Sequence, residues 1–350
     1  MAETSKPGGD DDDERLDDET AAAAAQPDPA PRWLVDWRRS EHRRGFYSAL
    51  GDHALQFTDR GSDHLMVSFD NLSSARDDRI EREPWGYGFV AKHGWSQLGV
   101  LAFAPDWFRS DELFDALRQL AGNGFFRRFR SVTMTGTSMG GYAACAFASL
   151  VPGCRVIAFS PQSTLKEDLV PWEERFASGR RADWSGPFAD AAEESAAAAQ
   201  VFLVYDPTFE PDVKHAARFR HPNAIHLRTR YAGHKTALVL RRSSLLSTIV
   251  REAVNGELTA SRFYAHYRQS RRLPWFLNSV ADKAFTRERF GLSARMILFL
   301  RQRGQGFAAH KLRQKHIELS GFDPLSRPRA VDTTRPEHQW QGTEGDARPQ

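Results

Sequence analysis

"SVTMTGTSMGGYAACAFASL", Ser131–Leu150, places three glycines around one serine, between a β-branched run and an alanine-rich one. A phosphate-cradling loop would close on Gly-Lys-Ser/Thr, but Ser138 is followed by Met139, Gly140 and Gly141, with no lysine. A dinucleotide fingerprint needs G-x-G-x-x-G and an acidic residue about twenty positions on; "GTSMGG" gives neither. Gly136-Thr137-Ser138-Met139-Gly140 does fit G-x-S-x-G, the nucleophile elbow. In that turn the serine is strained and its flanking residues are pressed together, so both must be tiny. The context agrees: "SVTMT" reads as a strand and "GGYAACAFASLVPG" as a helix stopped by Pro152 and Gly153. A helix N-terminus and the Met139 amide would then favour an oxyanion beside Ser138.

An elbow requires an acid and then a histidine, each after a later strand. His234 in "RYAGHKTALVL" follows the strand "NAIHLRTR" and precedes a helix, which suits a general base that takes the Ser138 proton and returns it to the leaving group. For the acid, Asp206 ends the strand "VFLVYD" and is favoured narrowly. Asp212 is the alternate, with a competing role as a helix cap, and Glu210 is a third candidate.

Working outward, "HALQFT", "HLMVSFDNL", "QLGVLAFA", "RVIAFS", "VFLVYD" and "NAIHLRTR" read as strands, the first two as neighbours. "SDELFDALRQLAG", "DVKHAARFR" and "HKTALVLRRSSLLSTIVREAV" read as helices. "WLVDWRRSEHRRGFYSAL" fits either type. Strands alternating with helices, several apolar on both sides, predict a three-layer α/β sandwich around a mainly parallel sheet. The main domain is expected over 32–254, with a cap-like insertion over 161–200 and a helical extension over 255–320.

Charge is uneven. The 350 residues carry a formal net +3, but 1–31 hold ten acids against two bases, and 255–320 hold thirteen Lys/Arg against four acids. The acidic run "GDDDDERLDDE" and the polar 321–350 are expected to be disordered tails. No signal-peptide core and no run of eighteen apolar residues is present, and the two cysteines, Cys145 and Cys154, form no disulfide framework. A cytoplasmic protein without a transmembrane segment is expected. No His, Cys or carboxylate cluster has metal-site spacing, so neither metal nor cofactor is expected.

At this point the sequence resembles the α/β-hydrolase family over about residues 50–250, through its strand order, elbow, acid and histidine. The resemblance implies that a second oxyanion amide comes from the loop after "HLMVSFDNL", where Phe69–Asp70 replaces the familiar His-Gly pair and Asn71 is the matching donor position. That departure, with "AFSPQST" and "PWGYGFVAKHGWSQLG", points to a divergent bacterial-type branch, some members of which are associated with cell-surface glycan modification. Expected is a serine hydrolase forming an acyl-enzyme on Ser138, with a small-molecule or glycan acyl ester as substrate. The alternatives left open are an acyltransferase using the same residues and a non-catalytic binding protein using its basic helices.

Other residues have blander readings. Trp85, Tyr87 and Trp95 pack more often than they stack on ligands, and Arg175, Arg180 and Arg181 read as solvated surface cations rather than an anion site. His93 and His215 read as caps or surface residues. The basic extension carries no nucleic-acid motif, so a nucleic-acid partner is not expected.

Overall fold

The computed structural model describes residues 30–39, 44–77, 79 and 81–326. All but a few residues of the two expected tails lie outside that set.

Eight strands form one sheet: β1 (Gly45–Leu50), β2 (His53–Thr58), β3 (His64–Phe69), β4 (Ser96–Ala102), β5 (Ser131–Thr137), β6 (Arg155–Phe159), β7 (Gln200–Tyr205) and β8 (Ala224–Arg228). Their order is β1-β2-β4-β3-β5-β6-β7-β8. β1 and β2 pair antiparallel, β2 meets β4 antiparallel, and all other pairs are parallel. The expected neighbours β2 and β3 are therefore separated. Residues 70–95 carry the chain over the sheet and return β4 between them, with Val67 opposite Leu98 and Phe57 opposite Leu98 from the other side. The ambiguous aromatic segment is both types: helix α1 (Arg32–Arg39), then β1.

The period of two along each strand divides the core between the two faces. Leu65, Val67 and Phe69 of β3 join one cluster with Phe114 and Tyr142; Met66 joins the other with Phe159, Val204 and Leu227. On the first face lie α3 (Asp111–Gly122) and α4 (Met139–Ala146), whose eight residues are all buried. Such a helix packs between the sheet and a further layer, and the insertion 161–200 supplies it. Leu165, Trp184 and Phe188 enter the same cluster, and α5 (Ala177–Arg180) and α6 (Ala191–Glu194) are its short helical turns.

On the second face lie α2 (Tyr87–Lys92), α8 (Thr236–Arg242) and α9 (Leu246–Val254). α8 and α9 replace the one long helix expected there, because the chain breaks at Ser244 with φ 58°. α7 (Glu210–Ala216) precedes β8.

The chain divides at Leu273/Pro274, nineteen residues beyond the expected boundary at 254/255. The basic count that marks the extension reads solvent-facing residues, but α10 (Ala260–Tyr267) turns Phe263 and Tyr267 into the second-face cluster. It is thus part of the first unit. Pro274 opens the second unit, a three-helix group of α11 (Pro274–Thr286), α12 (Phe290–Gln302) and α13 (Gly306–Ser320) with its own core around Phe285, Ile297, Leu300 and Leu312.

Phe263 is fully buried and Phe307 is 86% exposed. Chemical denaturation is expected to show Phe263→Ala destabilising the first unit by about 3–5 kcal/mol, and Phe307→Ala changing stability by less than about 0.5 kcal/mol.

Candidate active site

Ser138 sits between β5 and α4 with φ 51° and ψ −117°, a left-handed conformation that costs a non-glycine residue energy. Two backbone bonds hold it there: its N–H donates to Phe159 O at 2.9 Å, and its carbonyl accepts from Tyr142 N at 2.9 Å. The flanking glycines are contact points. A Cβ on Gly136 would lie 2.3 Å from the Gly140 carbonyl, and one on Gly140 would lie 2.5 Å from Phe69 O and 2.6 Å from Asp70 O. The elbow is thus pressed against the end of β3 as well as against itself.

His234 places Nε2 2.9 Å from Ser138 Oγ, while its Nδ1 lies 2.9 and 3.0 Å from the two carboxylate oxygens of Asp212. A proton on Nδ1 donated to Asp212 leaves Nε2 free to accept from the Ser138 hydroxyl. Asp212 is 1% exposed, and the rings of Phe176 and Phe209 flank the imidazole at 6.2 and 6.0 Å. Gln162 also reaches Ser138, its amide nitrogen 3.4 Å from Oγ.

The favoured acid, Asp206, is not at the histidine. One of its oxygens accepts from Thr208 N and Thr208 Oγ1, both at 2.8 Å, and the other from Gly233 N at 2.8 Å. Its carboxylate closes an Asx turn and ties down the loop that carries His234. "DPT" at Asp206–Thr208 is the local signal for this: aspartate two residues before a hydroxyl in a proline turn spends its oxygens on the backbone. Asp212 does not cap its helix either; α7 begins two residues earlier, at Glu210, and Asp212 points from its first turn to the imidazole. Glu210 pairs with Lys214 on the surface at 2.7 Å.

A strained serine after the fifth strand, a histidine after the eighth, and eight strands with the second antiparallel and the third and fourth exchanged define the architecture. This is an α/β-hydrolase-like fold. No protein-family model and no curated protein matches the sequence. Among solved structures, the esterase Pf2001 of Pyrococcus furiosus is similar at 16% identity and TM-score 0.42, over 61% of this chain and 91% of that one. The Staphylococcus aureus fluorophosphonate-binding serine hydrolase FphF is similar at 10% identity and TM-score 0.39, over 62% and 98%. The capsule O-acetyltransferase of Neisseria meningitidis serogroup A is similar at 10% identity and TM-score 0.40, over 59% and 93%.

Ser138 and His234 open onto a cavity of about 1590 Å³. Trp85, Phe89, Leu238 and Leu246 form an apolar wall, and Asn71, Asp77, Arg79 and Arg82 a polar one. The arginines of the polar wall are engaged: Arg79 pairs with Asp77 at 2.7 Å and Arg82 with buried Asp70 at 2.6 Å. Asp70 also accepts from Ala102 N at 3.1 Å, so the Phe69–Asp70 departure installs a carboxylate that fastens the Asn71 loop to β4. Asn71 lines the cavity, and its side-chain oxygen accepts from Ser74 N at 2.8 Å. Of Trp85, Tyr87 and Trp95, Trp85 lines the cavity, while Tyr87 is buried against Asp36 and Trp95 packs in the second-face core. The insertion 161–200 contributes no lining residue, so it is not a lid over this cavity. Among the described residues no group of three His, Cys, Asp or Glu could hold a metal.

The sequence reading missed a buried polar group behind Asp212. His215 is fully buried rather than a cap or surface residue; its Nε2 lies 2.9 Å from Glu173 Oε2, and its Nδ1 accepts from Ser163 N at 3.1 Å. Arg175 binds Glu173 through Nε and Nη2 at 2.5–3.1 Å. Burial raises the Glu173 carboxyl, but hydrogen bonds from His215 and Arg175 overcome this and bring its pKa down to about 2.

Two outcomes are expected. Gly140→Ala, which would drive a methyl into two carbonyls of β3's end, lowers stability by about 1–3 kcal/mol or more in thermal denaturation. For Glu173 the folded-state pKa is depressed, so its stabilisation is present above the ordinary carboxyl range and disappears as pH falls toward 2. Glu173→Gln is therefore less stable than wild type by about 2–3 kcal/mol at pH 7, and urea titrations at falling pH show the gap closing.

Proposed function

We propose that the chain is a serine hydrolase that cleaves an acyl ester through an acyl-enzyme on Ser138. The observation that carries this reading is the hydrogen-bonded series Ser138–His234–Asp212 at 2.9 and 2.9–3.0 Å, with its serine at the cavity.

In this reading His234 Nε2 takes the Ser138 proton as Oγ bonds to the ester carbonyl carbon, and the carbonyl π electrons move onto oxygen. Collapse breaks the bond to the alcohol oxygen, which receives the proton from Nε2. Water then repeats the sequence, its proton passing through Nε2 to Oγ as the acid leaves. Asp212 holds the Nδ1–H tautomer and balances the imidazolium formed at each step. The amides of Met139 and Asn71 hold the oxyanion.

The cavity, with an apolar wall facing a polar one whose Arg79 and Arg82 already have carboxylate partners, supports an ester with one apolar and one polar part. A small-molecule ester or an acylated glycan fits that description. Its volume exceeds the roughly 300–1,000 Å³ usual for a single small ligand, which leaves room for an acceptor alcohol and favours acyl transfer as the second reading. Two free, buried cysteines support a reducing, cytoplasmic setting.

A fluorophosphonate probe is expected to label wild type and not Ser138→Ala. Hydrolysis of p-nitrophenyl esters is expected to fall by about 10⁴-fold in Ser138→Ala and His234→Ala, and by about 10³–10⁴-fold in Asp212→Asn. Asp206→Asn, which loosens the loop without uncoupling the base, is expected to lose about tenfold. Equal labelling of wild type and Ser138→Ala would sink the reading, and a larger loss in Asp206→Asn than in Asp212→Asn would reverse the acid assignment. Added alcohol acceptors that raise turnover while ester product forms would make transfer the primary reaction.

A further inference from the structure

We propose that Arg175, carried by the insertion 161–200, is a positioning residue that sets the charge on the Asp212–His234 pair, so that the insertion completes the site from behind. The proposal rests on the triad reading above. Its starting point is a problem of burial. Asp212 and Glu173 are both 1% exposed, and two carboxylates so poorly screened by water need a cation between them. The Arg175 guanidinium lies between them. Nη1 reaches Asp212 Oδ1 at 3.4 Å, the same oxygen that meets His234 Nδ1 at 2.9 Å. Nε and Nη2 hold Glu173, and so does the Arg175 backbone N–H at 3.0 Å.

The guanidinium plane is fixed as well. Its central carbon lies 4.8 Å from the centre of the Phe176 ring and 5.3 Å from that of Phe209, the same two rings that flank His234. Arg175, Phe176, Phe209 and the imidazole are therefore one packed group. This geometry argues against an anionic-substrate role for Arg175. Arg175 has spent its donors on protein carboxylates, and it does not line the cavity. Arg180 is likewise engaged, with Glu167 at 3.1 Å.

The electrostatic consequence has a definite sign. A full negative charge on Asp212 would attract a proton to His234 and keep it there, and an imidazolium cannot take the serine proton. Arg175, on the same Asp212 oxygen that meets His234, offsets part of the field that this carboxylate exerts on the ring. Glu173 in turn offsets part of Arg175. The other charged groups around His234 and its cavity are Asp206 behind Gly233, Lys235 next in the chain, Arg241 on α8, Arg32, Glu81 and Glu83, and the pairs Asp77–Arg79 and Asp70–Arg82. None of these changes when Arg175 or Glu173 is substituted.

The test is the acidic limb of the kcat/KM profile for a neutral p-nitrophenyl ester. In Arg175→Gln the limb is expected to move to higher pH by about half to one unit, with plateau kcat down about three- to tenfold and KM within about twofold. In Arg175→Lys, which keeps the charge, the limb stays near that of wild type. In Glu173→Gln, which releases the full charge of Arg175 onto Asp212, the limb moves the other way, to lower pH. Limbs unmoved in both neutral variants, or moved in the same direction, overturn the proposal; so does a rise in KM with kcat unchanged. Glu173→Gln carries the test if Arg175→Gln does not fold. NMR titration of the His234 ring in a Ser138→Ala background separates this proposal from the reading it rests on. A midpoint raised by Arg175→Gln supports the coupling even if Ser138 proves unreactive, and an unmoved midpoint overturns the coupling even if Ser138 is the nucleophile.

Discussion

The close approach of Gly136 to Gly140 is the constraint on which the site depends. Two glycine backbones meet where no Cβ fits, and Gly140 in turn rests on the carbonyls of Phe69 and Asp70. That contact fixes the strand-to-helix turn and forces Ser138 into positive φ, with its hydroxyl off the line of the strand. It also sets the distance between the elbow and the loop that carries Asn71. The strain is held because α4 is buried along its whole length, so the turn cannot relax without unpacking the helix.

Around that fixed serine the other groups arrive from separate places and are held by separate means. His234 comes on a loop that Asp206 ties at Gly233, and Asp212 comes from the first turn of α7. Glu173 and His215 are buried with Arg175 half-buried beside them, and each carboxylate oxygen of Glu173 is taken by a guanidinium or an imidazole. Breaking one member of such a group costs more than the bond it makes, because the remaining charges stay buried.

What the sequence disclosed follows from how local each signal is. The elbow, its strand and its helix lie within twenty consecutive residues, so clearance, period and caps could be read together. The sheet was legible because several of its strands are apolar on both faces, although the position of β4 was not: nothing in "QLGVLAFA" says which edge it joins. The acid was misplaced because Asp206 and Asp212 both follow the same strand, and chain order alone cannot separate them. Arg175 was read as a surface cation because its partners lie up to 37 positions away, on α7. The extension was cut too early because charge describes the outward residues of α10, while Phe263 and Tyr267 decide where that helix belongs.

The two faces of the sheet hold the hydrogen-bonded series and the cavity wall by separate means. The Asp212–His234 pair is braced from the insertion and α7, whereas the cavity wall comes mainly from residues 71–77 and 81–90, α8 and α9. The two sets of residues share little beyond His234 and Ser138. The lining of the cavity can therefore change through one set of segments while the Ser138–His234–Asp212 hydrogen bonds stay held by another.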